Sequence, residues 1–145
     1  MTDISDAAKL TDRVAALVEA AKKAGADAAD AVAVRGRSTG VSVRLGKVEA
    51  TEASESEDVA LRVFVGGRVA SVSATAASDP KTLAERAVSM ARVSPEDPYQ
   101  GLADPALLAK QTRDLDLFDA TEVSADQLKE AALAADTSVA SNRSR

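Results

Sequence analysis

The chain has 145 residues, and 18 basic against 23 acidic side chains leave a formal net charge of −5. It contains no His, Cys or Trp, which excludes a Cys/His zinc site, a thiol nucleophile, a Ser–His dyad, imidazole acid–base chemistry and disulfides. A pI near 4.8 argues against a general nucleic-acid binder, whose footprint is basic.

This length fits one domain. The apolar fraction is rich in small residues, with 32 Ala and 16 Val against 12 Leu and two Phe, so the expected core is thin. No apolar run is long enough to span a bilayer. The acidic start Met1-Thr2-Asp3-Ile4-Ser5-Asp6 lacks the basic and apolar regions of a signal peptide, and the expected location is the cytoplasm.

Residues 4–24 read as a helix, because Leu10, Val14, Leu17, Val18 and Ala21 recur at spacings of three and four. Lys22 and Lys23 suit its last turn, and Gly25 marks its stop. The period then shifts to two. Residues 28–34 form an expected first strand, with Val32 and Val34 on one face, and 36–40 an expected loop. Val41, Val43 and Leu45 alternate with Ser42 and Arg44. Gly46-Lys47 has the form of a two-residue turn, residues 48–54 return, and 55–58 make a polar connection.

The clearest hairpin runs from Val59 to Ala74 around Gly66-Gly67. A two-residue loop there pairs Val65 with Arg68, Val63 with Ala70, Leu61 with Val72 and Val59 with Ala74. That register gives one apolar face from both strands, while Phe64 and Val69 pair on the other. Asp79-Pro80 opens a second helix, with Leu83, Ala87, Met90 and Ala91 as its stripe, and Ser94-Pro95 closes it. Residues 95–101 are dense in turn formers. Asp104-Pro105 starts a short helical turn through Leu108. Ser124-Ala125-Asp126-Gln127 is a capping box, with Val123 and Leu128 placed as a staple, for a helix from about 125 to 136.

The expected fold is therefore α+β: an N-terminal helix, a four- to five-stranded antiparallel meander, then two or three helices packed on one face. Residues 1–137 are expected to form a single domain, and 138–145 a tail leading toward an absent C-terminal domain.

Few residues suggest chemistry. Gly66-Gly67 lacks the Lys-Ser/Thr pair and helix of a phosphate loop and reads as a hairpin turn. Asp114, Asp116, Asp119 and Glu122 could bind a divalent cation, but the interleaved Leu115, Leu117 and Phe118 make a solvated face over an apolar strip the simpler reading. Glu49, Glu52, Glu55 and Glu57 read as an exposed sheet edge. Tyr99, the only Tyr, sits in a Pro-bounded loop. It either anchors a partner or, as loop aromatics more often do, plugs its own domain's core. No Ser or Thr has a His partner, and nothing singles out a Lys for a Ser–Lys pair. No residue is assigned a catalytic or metal-binding role.

Three stretches resemble the N-terminal domain of the TldD/TldE family, also called PmbA or modulator of gyrase. They are residues 24–31 with the 41–49 hairpin, residues 90–104 including Ser94-Pro95-Glu96-Asp97-Pro98-Tyr99, and Leu115-Asp116-Leu117-Phe118-Asp119 with Glu122-Val123-Ser124. The second and third are specific and look like the TldE/PmbA branch. The resemblance implies a cytoplasmic bacterial zinc metalloprotease complex that degrades peptides and matures a peptide antibiotic. Its zinc is held by an H-E-x-x-x-H motif in the C-terminal domain of a TldD-like partner subunit. It further implies a chain without cofactor, enclosing a peptide substrate as heterodimer or homodimer. Nucleic acid and membrane are not expected partners.

The residues proposed for partner binding are Pro95, Asp97, Pro98, Tyr99, Gly101 and Phe118. An alternative is a free-standing protein or peptide interaction module without a proteolytic partner, using an exposed sheet edge. A divalent-metal binder built on Asp114 to Glu122 is a third reading.

Overall fold

A computed structural model describes residues 4–111, 113–117 and 119–142. The elements are α1 (Ile4–Ala24), β1 (Ala28–Arg44), β2 (Lys47–Val65), β3 (Arg68–Thr75), α2 (Pro80–Val93), a 3₁₀ turn (Pro105–Leu107) and α3 (Ala125–Asn142). The fold is α+β, with one antiparallel sheet in the order β1-β2-β3.

The sheet has three strands rather than four or five. The expected loop at 36–40 and connection at 55–58 lie inside β1 and β2, which span 17 and 19 residues. The polar residues there pair across the strands instead of turning the chain. Arg37 Nε donates to Glu55 Oε1 at 2.9 Å, and the Ser38 and Ser54 hydroxyls meet at 2.8 Å. Residues 36–40 and 55–58 carry no apolar alternation to reveal a strand.

Among the described residues, contacts divide the chain into two compact units: residues 1–35 with 56–114, and residues 36–55 with 115–145. The first unit holds the core. Leu17 and Ala21 of α1, Ala29 of β1, Val59, Leu61 and Val63 of β2, Ala70 and Val72 of β3, and Leu83, Ala84, Ala87, Val88 and Ala91 of α2 form one buried cluster. The β2–β3 register is the expected one, from Val65↔Arg68 to Val59↔Ala74, so the Val59, Leu61 and Val63 face meets the helices. On the opposite face Phe64 is also buried, with the Arg62 guanidinium 5.2 Å from its ring centre.

Two details of the core come from packing and not from the apolar pattern. In β1 the face joining the core is Ala29, Ala31 and Ala33, while Val32 and Val34 are exposed, since only small side chains leave room for close packing there. In α2, Val88 and Ala84 are buried and Met90 is 40% exposed.

The helix ends follow local chemistry. Gly25 N donates to Lys22 O at 3.1 Å and Ala26 N to Ala21 O at 3.0 Å. That Schellman closure needs the left-handed φ of 101° at Gly25. Asp79 caps α2 by accepting from Thr82 N at 2.8 Å and Thr82 Oγ1 at 2.7 Å, which holds its carboxyl below the usual range. Ser94 is the C-cap.

The second unit contains the distal ribbon and α3. The ribbon turns at Leu45-Gly46, not Gly46-Lys47, and both residues have positive φ, 52° and 73°, as a type I′ turn requires. Gly46 N donates to Asp136 Oδ2 of α3 at 2.6 Å. The capping box of α3 is formed, with Ser124 N to Gln127 Oε1 at 2.8 Å and Gln127 N to Ser124 Oγ at 3.2 Å. The helix continues to Asn142 instead of stopping near 136. Within it the Thr137 and Ser138 hydroxyls are satisfied by donating back to Leu133 O and Ala135 O, at 2.9 and 2.7 Å.

Candidate functional site

The loop after α2 is built by hydrogen bonds to the β2–β3 turn. Asp97 N donates to Gly67 O at 2.8 Å. Arg68, the first residue of β3, reaches Ser94 O at 3.0 Å through Nε and Glu96 Oε1 at 2.6 Å through Nη2. Within the loop, Asp97 Oδ1 accepts from Tyr99 N at 2.9 Å, and Gln100 N donates to Asp97 O at 3.2 Å. Pro95 and Pro98 restrict the remaining freedom.

This scaffold presents Tyr99 outward. Its side chain is 95% exposed, so it does not plug the core; the nearby apolar sites in β2 and β3 are already filled by the helices. Pro95, Pro98 and Gly101 are exposed beside it and Asp97 is half-buried. Val93, just before the loop, is 85% exposed. Five of the six residues proposed for partner binding thus share one loop. Phe118 lies outside the described residues. The anchoring role of Gly67 and Arg68 was invisible in the sequence, because both act on the loop across more than 25 positions.

The apolar strip expected between the acidic residues is not covered where it is described. Leu115 and Leu117 are exposed, as are Asp114, Asp116, Asp119 and Glu122. Asp119 instead caps its own turn, accepting from Thr121 N at 2.9 Å. The Thr121 side chain first, and then its backbone N–H, hold the Asp119 carboxyl below the usual range. No group of three potential metal ligands occurs among the described residues.

The open face of the sheet in the first unit carries a shallow hollow lined by Asp30, Val32, Ala60, Arg62 and Ser71. Its charges satisfy each other: Arg62 Nε donates to Asp30 Oδ1 at 2.9 Å, and its Nη2 to the other oxygen. That bond to Asp30 raises the Arg62 pKa further.

Residues 29–91 match the family model described as PmbA/TldA metallopeptidase domain 1. The chain carries an N-terminal domain of the TldD/TldE/PmbA family. It is 34% identical over 131 residues to a metalloprotease PmbA homologue of Haemophilus influenzae, covering 88% of this chain and 29% of that protein. It is 38% identical over 105 residues to metalloprotease PmbA of Escherichia coli O157:H7, covering 69% and 23%. Two solved structures share the fold. A protein described as a modulator of DNA gyrase from Bacteroides thetaiotaomicron superposes with a TM-score of 0.71 at 22% identity, covering 83% of this chain and 27% of that one. TldE from Thermococcus kodakarensis gives 0.64 at 20% identity, covering 84% and 28%. The chain therefore spans less than a third of the PmbA proteins it matches.

The metal implied by a metallopeptidase family does not fit the residues present. The chain has no His or Cys, and its acidic side chains do not converge among the described residues. No helix among the described residues is long and apolar enough to cross a membrane.

Proposed function

We propose that this chain is the non-catalytic N-terminal domain of a TldE/PmbA-like subunit in a cytoplasmic zinc metallopeptidase complex. It acts in assembly with a TldD-like subunit or a second copy, and in enclosing a peptide substrate. The zinc belongs to the partner. The observation that carries the reading is the Tyr99 loop, a braced loop that displays its one aromatic side chain to solvent. A large, stiff, exposed aromatic is the typical anchor of a protein interface. Bracing removes the ordering entropy that a floppy loop would lose on binding.

The test is co-purification with a TldD-like subunit, with Tyr99→Ala as the variant. Loss of one anchor is expected to weaken association by roughly tenfold or more, while the variant keeps its melting temperature. The chain alone, supplied with Zn²⁺, is expected to leave peptides intact. Metal-dependent peptide hydrolysis by the purified chain sinks this reading. Normal assembly by Tyr99→Ala removes the loop from it.

A further inference from the structure

The outer edges of the sheet are built differently. β1 carries Asp30, Arg35, Arg37 and Arg44, and the part of β2 that is not paired with β3 carries Glu49, Glu52, Glu55 and Glu57. Such charges keep a sheet edge from pairing with foreign strands. The edge at β3 has none of them. No residue from Val69 to Ser78 is charged, in a chain of which 28% is. Neither Pro nor Gly interrupts β3. Its single cation, Arg68, is engaged by Ser94 O and Glu96.

The hairpin register fixes which backbone groups of β3 face outward. Gly66 and Gly67 both have positive φ, 54° and 71°, as a two-residue type I′ turn requires. Val65 and Arg68 therefore exchange hydrogen bonds beside that turn. Counting on in twos, Ala70, Val72 and Ala74 bond inward to Val63, Leu61 and Val59. Val69, Ser71 and Ser73 thus direct N–H and C=O away from β2. Among the described residues no hydrogen bond reaches these groups and no fourth strand covers them. The Ser71 and Ser73 side chains are exposed as well.

We propose that the β3 edge pairs antiparallel with β3 of a second copy, giving one sheet in the order β1-β2-β3-β3-β2-β1. The two-fold axis passes beside Ser71. Ser71 then opposes its own symmetry mate, and Val69 opposes Ser73 of the second copy, with about six hydrogen bonds between the chains. Ala70 opposes Val72 on the helix-bearing face. Uncharged residues meet uncharged residues throughout, so no like charges are set against each other. A second copy is the occupant because this pairing is isologous and closes at two chains. Pairing β3 with β1 of another copy would be heterologous and open-ended, and would lay the neutral edge against charges. A contact of one short strand is small beside a standard interface, so the dimer forms as concentration rises. The surface is distinct from the Tyr99 loop, and the inference goes beyond the function proposed for that loop.

Residue-resolved amide exchange by NMR tests it, with sedimentation velocity across a concentration series. The chain is expected to move from its 14.9 kDa monomer toward twice that mass. In step with that change, the amides of Val69, Ser71 and Ser73 should slow by about tenfold or more. Those of Ala70 and Val72, already bonded to β2, should not move. Ser71→Lys and Ser71→Glu each place like charges across the axis and should weaken association about fivefold. An equal mixture of the two variants should associate at least as well as the unsubstituted chain. Melting of each variant in dilute solution reports whether the monomer is intact, and the alternating exchange pattern of the unsubstituted chain needs no variant.

A chain that stays monomeric up to its solubility limit overturns the proposal. So does protection of Val69, Ser71 and Ser73 in the dilute monomer, which makes a segment of this chain the occupant. Dimers that form equally well with Ser71→Lys alone and in the mixture refute the axis at Ser71. A dimer abolished by Tyr99→Ala but indifferent to Ser71→Lys places the interface on the loop instead. Failure to co-purify with a TldD-like subunit counts against the proposed function and leaves the exchange pattern untouched.

Discussion

The two units are built from the same alanine-rich composition and behave oppositely. In the first, two helices lie on one face of three strands, and every buried apolar residue described belongs to it. In the second, a ribbon and a helix are joined by capping and hydrogen bonds, and Leu45, Leu115 and Leu117 face solvent. Secondary structure satisfies backbone polarity in both. In the first, the buried cluster adds about 25 cal/mol per Å² of apolar surface removed from water. Local order and a core are thus separable properties, and a chain can possess one over a stretch where it lacks the other.

Core truncation should break that contrast most sharply. Leu61 is 1% exposed at the centre of the first unit, and Leu61→Ala is expected to cost about 2–5 kcal/mol in urea unfolding. The next effect comes from backbone handedness. Gly25 sits at φ 101° with a built Cβ 3.0 Å from Arg92 Nη2, so Gly25→Ala should cost about 1 kcal/mol or more. Leu45 occupies a left-handed position in the second unit, and Leu45→Asn should be neutral or slightly stabilising, by at most about 1 kcal/mol.

Asp79→Ala removes the cap of α2 and should lower the melting temperature at neutral pH. The folded-state pKa of Asp79 lies below its ordinary value, chiefly through the Thr82 hydroxyl. Its contribution is therefore complete above the ordinary carboxylate pKa and fades as pH falls through the depressed one. The gap in melting temperature between the two proteins should close in acid. Thermal scans from neutral pH downward check this, and a gap that widens in acid contradicts it. The smallest effect is expected from Leu117→Ser, within about 0.5 kcal/mol, since Leu117 is 87% exposed. A larger loss would mean that the second unit has cover in solution after all.

Legibility in the sequence followed the range of the interaction. The limits of α1, the Asp79 and Ser124 caps and the Gly66-Gly67 turn were readable, because each depends on residues within five positions. The β2–β3 register was readable too, since a tight turn with alternating apolar residues leaves one alignment. The stretches 36–40 and 55–58 were not, as strand segments polar on both faces look like loops, although the hairpin between them showed in its apolar alternation. The site was half legible. Turn-forming residues located the loop, but the direction of Tyr99 depended on whether the core had room for it.

The sequence by itself determined the absence of His and Cys chemistry, the helix ends, the central hairpin and the family resemblance. These rest on composition and short-range stereochemistry. Tertiary structure alone decided that Ala rather than Val faces the core in β1, that Arg68 braces the Tyr99 loop, and that no described side chain of the second unit is buried. Burial is a property of what surrounds a side chain, and no periodicity along the chain specifies the neighbour that would cover it.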